Sequence, residues 1–163
     1  MGSGSSGSYS GTSGGSQPYA PSYHVEPKML RDDVKNGTYH DGRYDKNPTA
    51  KNLVDEINGN YIGGKNTTFQ MPYVIDVNGN IIIGKRNGNG RGENAIPTPH
   101  PTLIGGKDPI VKMAGILEVR GGKIYSYDNR SGHYKPNIKS MDAAHEAFSK
   151  LDPKLFHKNY KKR

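Results

Sequence analysis

The chain has 163 residues, of which 31% are hydrophobic and 22 are Gly, with no Cys and no Trp. Without cysteine there is no thiol catalysis, no cysteine-ligated zinc and no disulfide framework, and no apolar run is long enough for a membrane helix. The net charge of +8 is unevenly placed: residues 1–83 hold 7 Lys/Arg against 8 Asp/Glu, whereas residues 84–163 hold 16 against 7.

Residues 1–22 begin almost entirely in Gly and Ser, which have nothing apolar to bury. They read as a disordered leader whose opening has the composition of an added linker, followed by a single domain over 23–163. No apolar segment of a signal peptide is present. Pro27 opens a predicted helix carrying Met29, Leu30 and Val34, and Gly37 ends it. Thr38–Lys46 reads as a polar loop. A second helix is predicted over 48–58, with Asn47 as N-cap and Ala50, Leu53, Val54 and Ile57 on one face, closed by Gly59.

The β region starts near Pro72. Tyr73–Val77 and Ile81–Gly84 flank Asn78-Gly79, a strong hairpin signal. Asn87–Pro99 is a Gly-, Asn- and Pro-rich loop, and His100–Ile104 reads as a short strand. Ile110–Val119 is a longer strand in which Gly115 marks a bulge or a close approach. Gly121-Gly122 turns the chain into Lys123–Tyr127. Ser140 caps a last helix with Met141, Ala144, Phe148 and Leu151 on one face, and Pro153 ends it. The predicted fold is α+β: an antiparallel sheet of four to five strands, two short N-terminal helices and one C-terminal helix.

Two histidine motifs stand out, His100-Pro101-Thr102-Leu103-Ile104-Gly105-Gly106 and Ser131-Gly132-His133-Tyr134-Lys135-Pro136. Histidine titrates near neutral pH and suits acid–base work. Pro99 and Pro101 stiffen the segment around His100, which is either a general base or a residue that fixes a loop. His133 is either the paired acid or a side chain packed beneath the last helix. Thr102, Ser131 and Tyr134 supply hydroxyls. Lys85, Arg86, Lys112, Arg130 and Lys135 are the cations available to a phosphate, or else a solvated face. Gly84–Gly92 is glycine-rich but lacks the Gly-Lys-Ser/Thr ending of a phosphate-binding loop. His24, His40, His145 and His157 have no partners at zinc spacing, and His145 is expected on the polar side of its helix. No metal is expected.

Residues 73–151 resemble the Ser-Gly-His-Tyr domain of plant IQ-motif calmodulin-binding proteins and its bacterial relatives. The resemblance rests on Ile83-Gly84-Lys85, His100, Thr102, Gly105-Gly106, Ala114-Gly115, Gly122 and Ser131 through Pro136, with Phe148 and Leu151 in the closing helix. No Ile-Gln helix with spaced basic residues is present, so calmodulin binding is not carried over. A flexible leader joined to a small basic module also resembles the C-terminal toxin domain of bacterial polymorphic toxins of the Rhs type.

That resemblance implies an effector secreted by a dedicated system and acting in the cytoplasm of a target cell. Its partner would be a cognate acidic immunity protein, without membrane attachment, and the chain a monomer. Joined to the basic charge and the paired histidines, it points to a metal-independent ribonuclease needing no cofactor. An ADP-ribosyltransferase-like toxin using NAD is the alternative, with Glu118 or Asp128 as its acidic residue. A non-enzymatic protein-binding module, with Tyr125, Tyr127 and Tyr134 at an interface, is the third reading.

Overall fold

The computed structural model describes residues 15–88 and 97–161. The first part of the leader, most of the expected Asn87–Pro99 loop and the last two residues lie outside the described residues. The architecture is α+β. Helix α1 (Pro27–Asn36) opens on its proline and ends at Gly37, whose φ of 86° is the left-handed cap expected there.

The expected loop after it is instead a small ladder, β1 (Tyr39–His40) against β2 (Arg43–Tyr44). Asp41 and Gly42 both take positive φ, as a two-residue hairpin turn requires. The helix predicted over 48–58 does not form. Its place is taken by β3 (Lys51–Asn52), a 3-10 turn over Leu53–Glu56, and the pair β4 (Ile57–Asn58) and β5 (Tyr61–Ile62). Two Asn side chains redirect the backbone: Asn47 Oδ1 accepts from Thr49 N, and Asn52 Oδ1 accepts from Val54 N. Of the expected apolar face, Leu53 is buried, but Val54 and Ile57 are exposed.

The main sheet has five antiparallel strands in the order β3-β7-β6-β8-β9, with β6 at Phe69–Ile75, β7 at Ile81–Ile83, β8 at Met113–Arg120 and β9 at Lys123–Tyr127. The β6–β7 turn is wider than Asn78-Gly79 alone. Asp76 Oδ1 accepts from Asn78 N and Asn80 N, so Val77 leaves the strand and is exposed. His100–Leu103 is a 3-10 turn rather than a strand, because Thr102 N and Ile104 N bond back to Pro99 O and Pro101 O.

Strand alternation divides the core in two. Tyr73, Ile75, Met113 and Leu117 face helix α2 (Met141–Ser149), where Met141, Ala144 and Phe148 are buried. Val74 and Ala114 face the other way and meet Tyr23, Val25, Tyr44, Leu103, Val111 and Tyr134. The second layer is therefore made by the N-terminal segment and the two histidine motifs. It begins before residue 23: Gln17 N donates to Lys135 O, and Gln17 Nε2 donates to Tyr134 O. Ser140 precedes α2 without a side-chain cap bond; its hydroxyl pairs with Tyr23 OH at 2.6 Å.

Candidate active site

Both histidine motifs lie in this second layer, and each is held by a different anchor. His100 is buried, and its Nε2–H donates to the carbonyl of Gly115 in β8 at 2.7 Å. A carbonyl only accepts, so this bond fixes the ring as the Nε2–H tautomer and leaves Nδ1 with its lone pair. Burial drives the pKa of His100 down from 6.5 to about 4, with the Gly115 bond opposing. The fields of His133 and Arg86 lower it further, and Asp128 opposes them, so all three charges reach this ring. His100 is thus neutral at pH 7.

Gly115 is required for this arrangement. A Cβ there would collide with the backbone carbonyl of Asp128. The expected close approach is therefore present, while the irregularity in pairing falls later, between Glu118 and Val119. Before Leu117 the ladder thins: Asp128 N still donates to Ile116 O, but Ile116 N donates to Asp128 Oδ1 and Gly115 O serves His100.

His133 sits in a tight turn. Lys135 N bonds Ser131 O, Tyr134 N bonds Ser131 Oγ, and Lys135 takes a φ of 41°. The turn is tied to the N-terminal segment by Glu26 N donating to His133 O. His133 Nε2 donates to Asp33 Oδ2 at 2.9 Å, and Tyr44 OH donates to the same oxygen at 2.6 Å. Asp33 lies on α1 and is buried, its side chain only 6% exposed, against 14% for His133. The carboxylate is satisfied by two donors; burial of the Tyr44 phenol, then its hydrogen bond to Asp33 and the charge of that carboxylate, hold it far above the usual tyrosine range. Among the described residues, Nδ1 of His133 makes no hydrogen bond. An imidazole with one nitrogen on a buried carboxylate and the other unbonded is arranged for proton transfer.

The other expected site residues have structural partners. Thr102 is buried and donates to Pro99 O, while its carbonyl accepts from Asn47 N. Ser131 is buried under the turn it stabilises. Tyr134 is fully buried with its hydroxyl on Pro109 O. Lys135 is buried with Nζ 3.6 Å from Glu26 Oε1. These four side chains lock the second layer together. Arg130 pairs with Asp128 Oδ2 at 2.7 Å. Lys85 and Arg86 are exposed beside the His100 turn, and Lys112 is half-buried at the start of β8. Lys85 is fixed through its backbone by Thr49, Asn47 and Thr98.

Sequence reading missed Asp33 and Tyr44. Asp33 was one polar position in an amphipathic helix, and nothing local pairs it with a residue 100 positions away. His145 also differs from its expected solvated position: it is half-buried, and its Nδ1 meets Tyr127 OH at 2.7 Å. Tyr127 itself stacks on Phe148 in the core. Among the described residues, no cluster of His, Asp or Glu is arranged to hold a metal ion, and no helix is long and apolar enough to cross a membrane. No family model, curated protein or solved structure matches the chain.

Proposed function

We propose that this chain is an effector domain of the polymorphic-toxin type and acts as a metal-independent ribonuclease. The carrying observation is the His133–Asp33–Tyr44 array, with neutral His100 in the same layer. RNA cleavage by its own 2′-OH needs a base on that hydroxyl and an acid on the leaving 5′-oxygen. In the proposed reaction, His100 takes the 2′-OH proton through Nδ1. The 2′-oxygen attacks phosphorus, and the bond to the 5′-oxygen breaks. His133, protonated on Nδ1, gives that oxygen its proton, leaving a 2′,3′-cyclic phosphate. Asp33 positions His133 and steadies its charge, and exposed Arg86, whose field reaches His100, and Lys85 are the candidates to face the phosphate.

The charge asymmetry supports a polyanionic substrate. The NAD-dependent alternative would draw on Tyr125 and on Ser131–Tyr134; Tyr134 is buried with its hydroxyl on Pro109 O, whereas Tyr125 is half-buried. Under the proposed reading, an acidic immunity protein would neutralise the basic half, and delivery into a target cell would use a dedicated secretion system.

Expression of residues 15–163 in bacterial cells, beside the His133→Ala variant, tests this. Growth arrest with fragmented total RNA, lost in the variant, is expected. Arrest with intact RNA and falling NAD would overturn the ribonuclease reading in favour of ADP-ribosyl transfer. No arrest would favour a binding module.

A further inference from the structure

On the opposite face of the sheet from His100 and His133, α2 and the C-terminal segment line an open cleft of about 310 Å³. Its wall includes Tyr127, His145, Phe148, Leu151, Phe156 and Tyr160. Tyr160 lies over Tyr127 with ring centroids 5.9 Å apart and planes at 22°, and Phe156 packs against Tyr160 at 4.8 Å. Phe156 and Tyr160 are half-buried, so part of each ring remains open. Three polar groups run along one side: Tyr160 OH donates to Tyr127 OH at 2.8 Å, and Tyr127 OH meets His145 Nδ1. Tyr127 OH therefore bridges Tyr160 and His145, accepting from the first and sharing a hydrogen bond with Nδ1 of the second.

The chain around this cleft is strongly basic. Between Ser149 and Lys161 there are four Lys, at 150, 154, 158 and 161, against one acidic residue, Asp152. All four lysines are exposed. Asp152 caps the 3-10 turn over Pro153–Leu155 by accepting from Lys154 N. Lys150 reaches toward Gly79, and Lys154, Lys158 and Lys161 flank Phe156 and Tyr160 in the sequence. A flat apolar wall with a few polar groups suits a heterocyclic ring, and cations at its rim suit an attached phosphate.

We propose that this cleft is a subsite for a base of single-stranded RNA, with Phe156 and Tyr160 as stacking surfaces and Lys158 and Lys161 holding the adjoining phosphates. The proposal rests on the ribonuclease reading for its choice of RNA. It assigns substrate retention to one face of the sheet and proton transfer to the other.

The test is fluorescence anisotropy of a labelled single-stranded octaadenylate with the full chain carrying His133→Ala, so that no cleavage intervenes. Tyr160→Ala should weaken binding about tenfold, while Tyr160→Phe retains it. Lys158→Glu with Lys161→Glu should also weaken binding and flatten its dependence on salt. These two positions are exposed, so this variant keeps the test decisive if Tyr160→Ala does not fold. Unchanged binding in both the Tyr160→Ala and the double-Lys variants would overturn the proposal. Adenosine monophosphate displacing the octamer at equal concentration would overturn the strand assignment in favour of a free-nucleotide site. If the parent chain cleaves RNA and the pocket variants bind normally, only the subsite falls. If the pocket variants lose binding but the parent does not cleave, only the ribonuclease reading falls.

Discussion

Replacing His100 by Gln tests the pH behaviour that its burial imposes. The side chain amide keeps an N–H donor for Gly115 O but does not titrate. In the folded chain His100 accepts a proton only near pH 4, against 6.5 when unfolded, which corresponds to about 3 kcal/mol between the two protonation states. Above pH 6.5 both states are neutral there, and the contribution is fully present. As the pH falls from 6.5 toward 4, the unfolded chain takes up a proton that the folded chain refuses, so stability declines by about 1.4 kcal/mol per pH unit. Below about pH 4 the loss from this group is complete. The remaining histidines are common to parent and variant and drop out of the difference. Urea unfolding followed by far-UV circular dichroism at pH 7.5, 6.5, 5.5 and 4.5 measures it; with no Trp, the 11 Tyr serve as a second probe. The variant should be less stable at pH 7.5, where it lacks the packed ring. The gap should close by about 2 to 3 kcal/mol at pH 4.5. Parallel stability curves for the two proteins would rule out a His100 held neutral by burial, as would a His100 ring resonance titrating near pH 6.5.

Gly115→Ala should destabilise the fold by about 3 kcal/mol or more, because its Cβ meets the Asp128 carbonyl and displaces the strand that anchors His100. Gly42→Ala meets nothing within 4 Å and should cost only about 1 to 2 kcal/mol, from its φ of 78° alone; thermal melts of the pair separate collision from backbone preference. Asp33→Ala leaves Tyr44 OH buried without an acceptor and breaks the pair with His133, so a loss of about 3 to 5 kcal/mol is expected by urea titration. Tyr44→Phe removes one donor and leaves His133 paired, and its cost should stay near about 1 to 2 kcal/mol.

Much of the fold was legible where the signal is local. Pro27 and Gly37 bracket α1, the spacing of Met141, Ala144 and Phe148 marks α2, and Gly121-Gly122 turns β8 into β9. Gly115 announced a close approach because a strand interior gains nothing else from a missing side chain. The reading failed where side chains of Asn and Asp capture the backbone. Ala50, Leu53, Val54 and Ile57 have helical spacing, yet Lys51 and Asn52 pair with Ile83 and Ile82 instead, and sheet pairing outweighs the periodicity of so short a segment. Of the candidate site, the two histidines were legible as motifs. Their anchors were not, since Asp33, Tyr44 and the Gly115 carbonyl come from other elements. Thr102, Ser131 and Tyr134 carry groups that catalysis also uses, and their burial on backbone partners was not legible in the motifs.

The two borders of the five-stranded sheet carry a consequence for self-association. A long, flat, unpaired border is a template on which other chains add strands. Here one border is β3, only two residues long. At the other, β9 is met by the C-terminal segment, where Ile124 bridges Phe156 and His157 N donates to Ile124 O. Strand addition therefore finds little purchase on either side. A chain that loses the segment after Leu155 would expose the backbone of β9 while keeping most of its core. Such a clipped form should be the species that aggregates first.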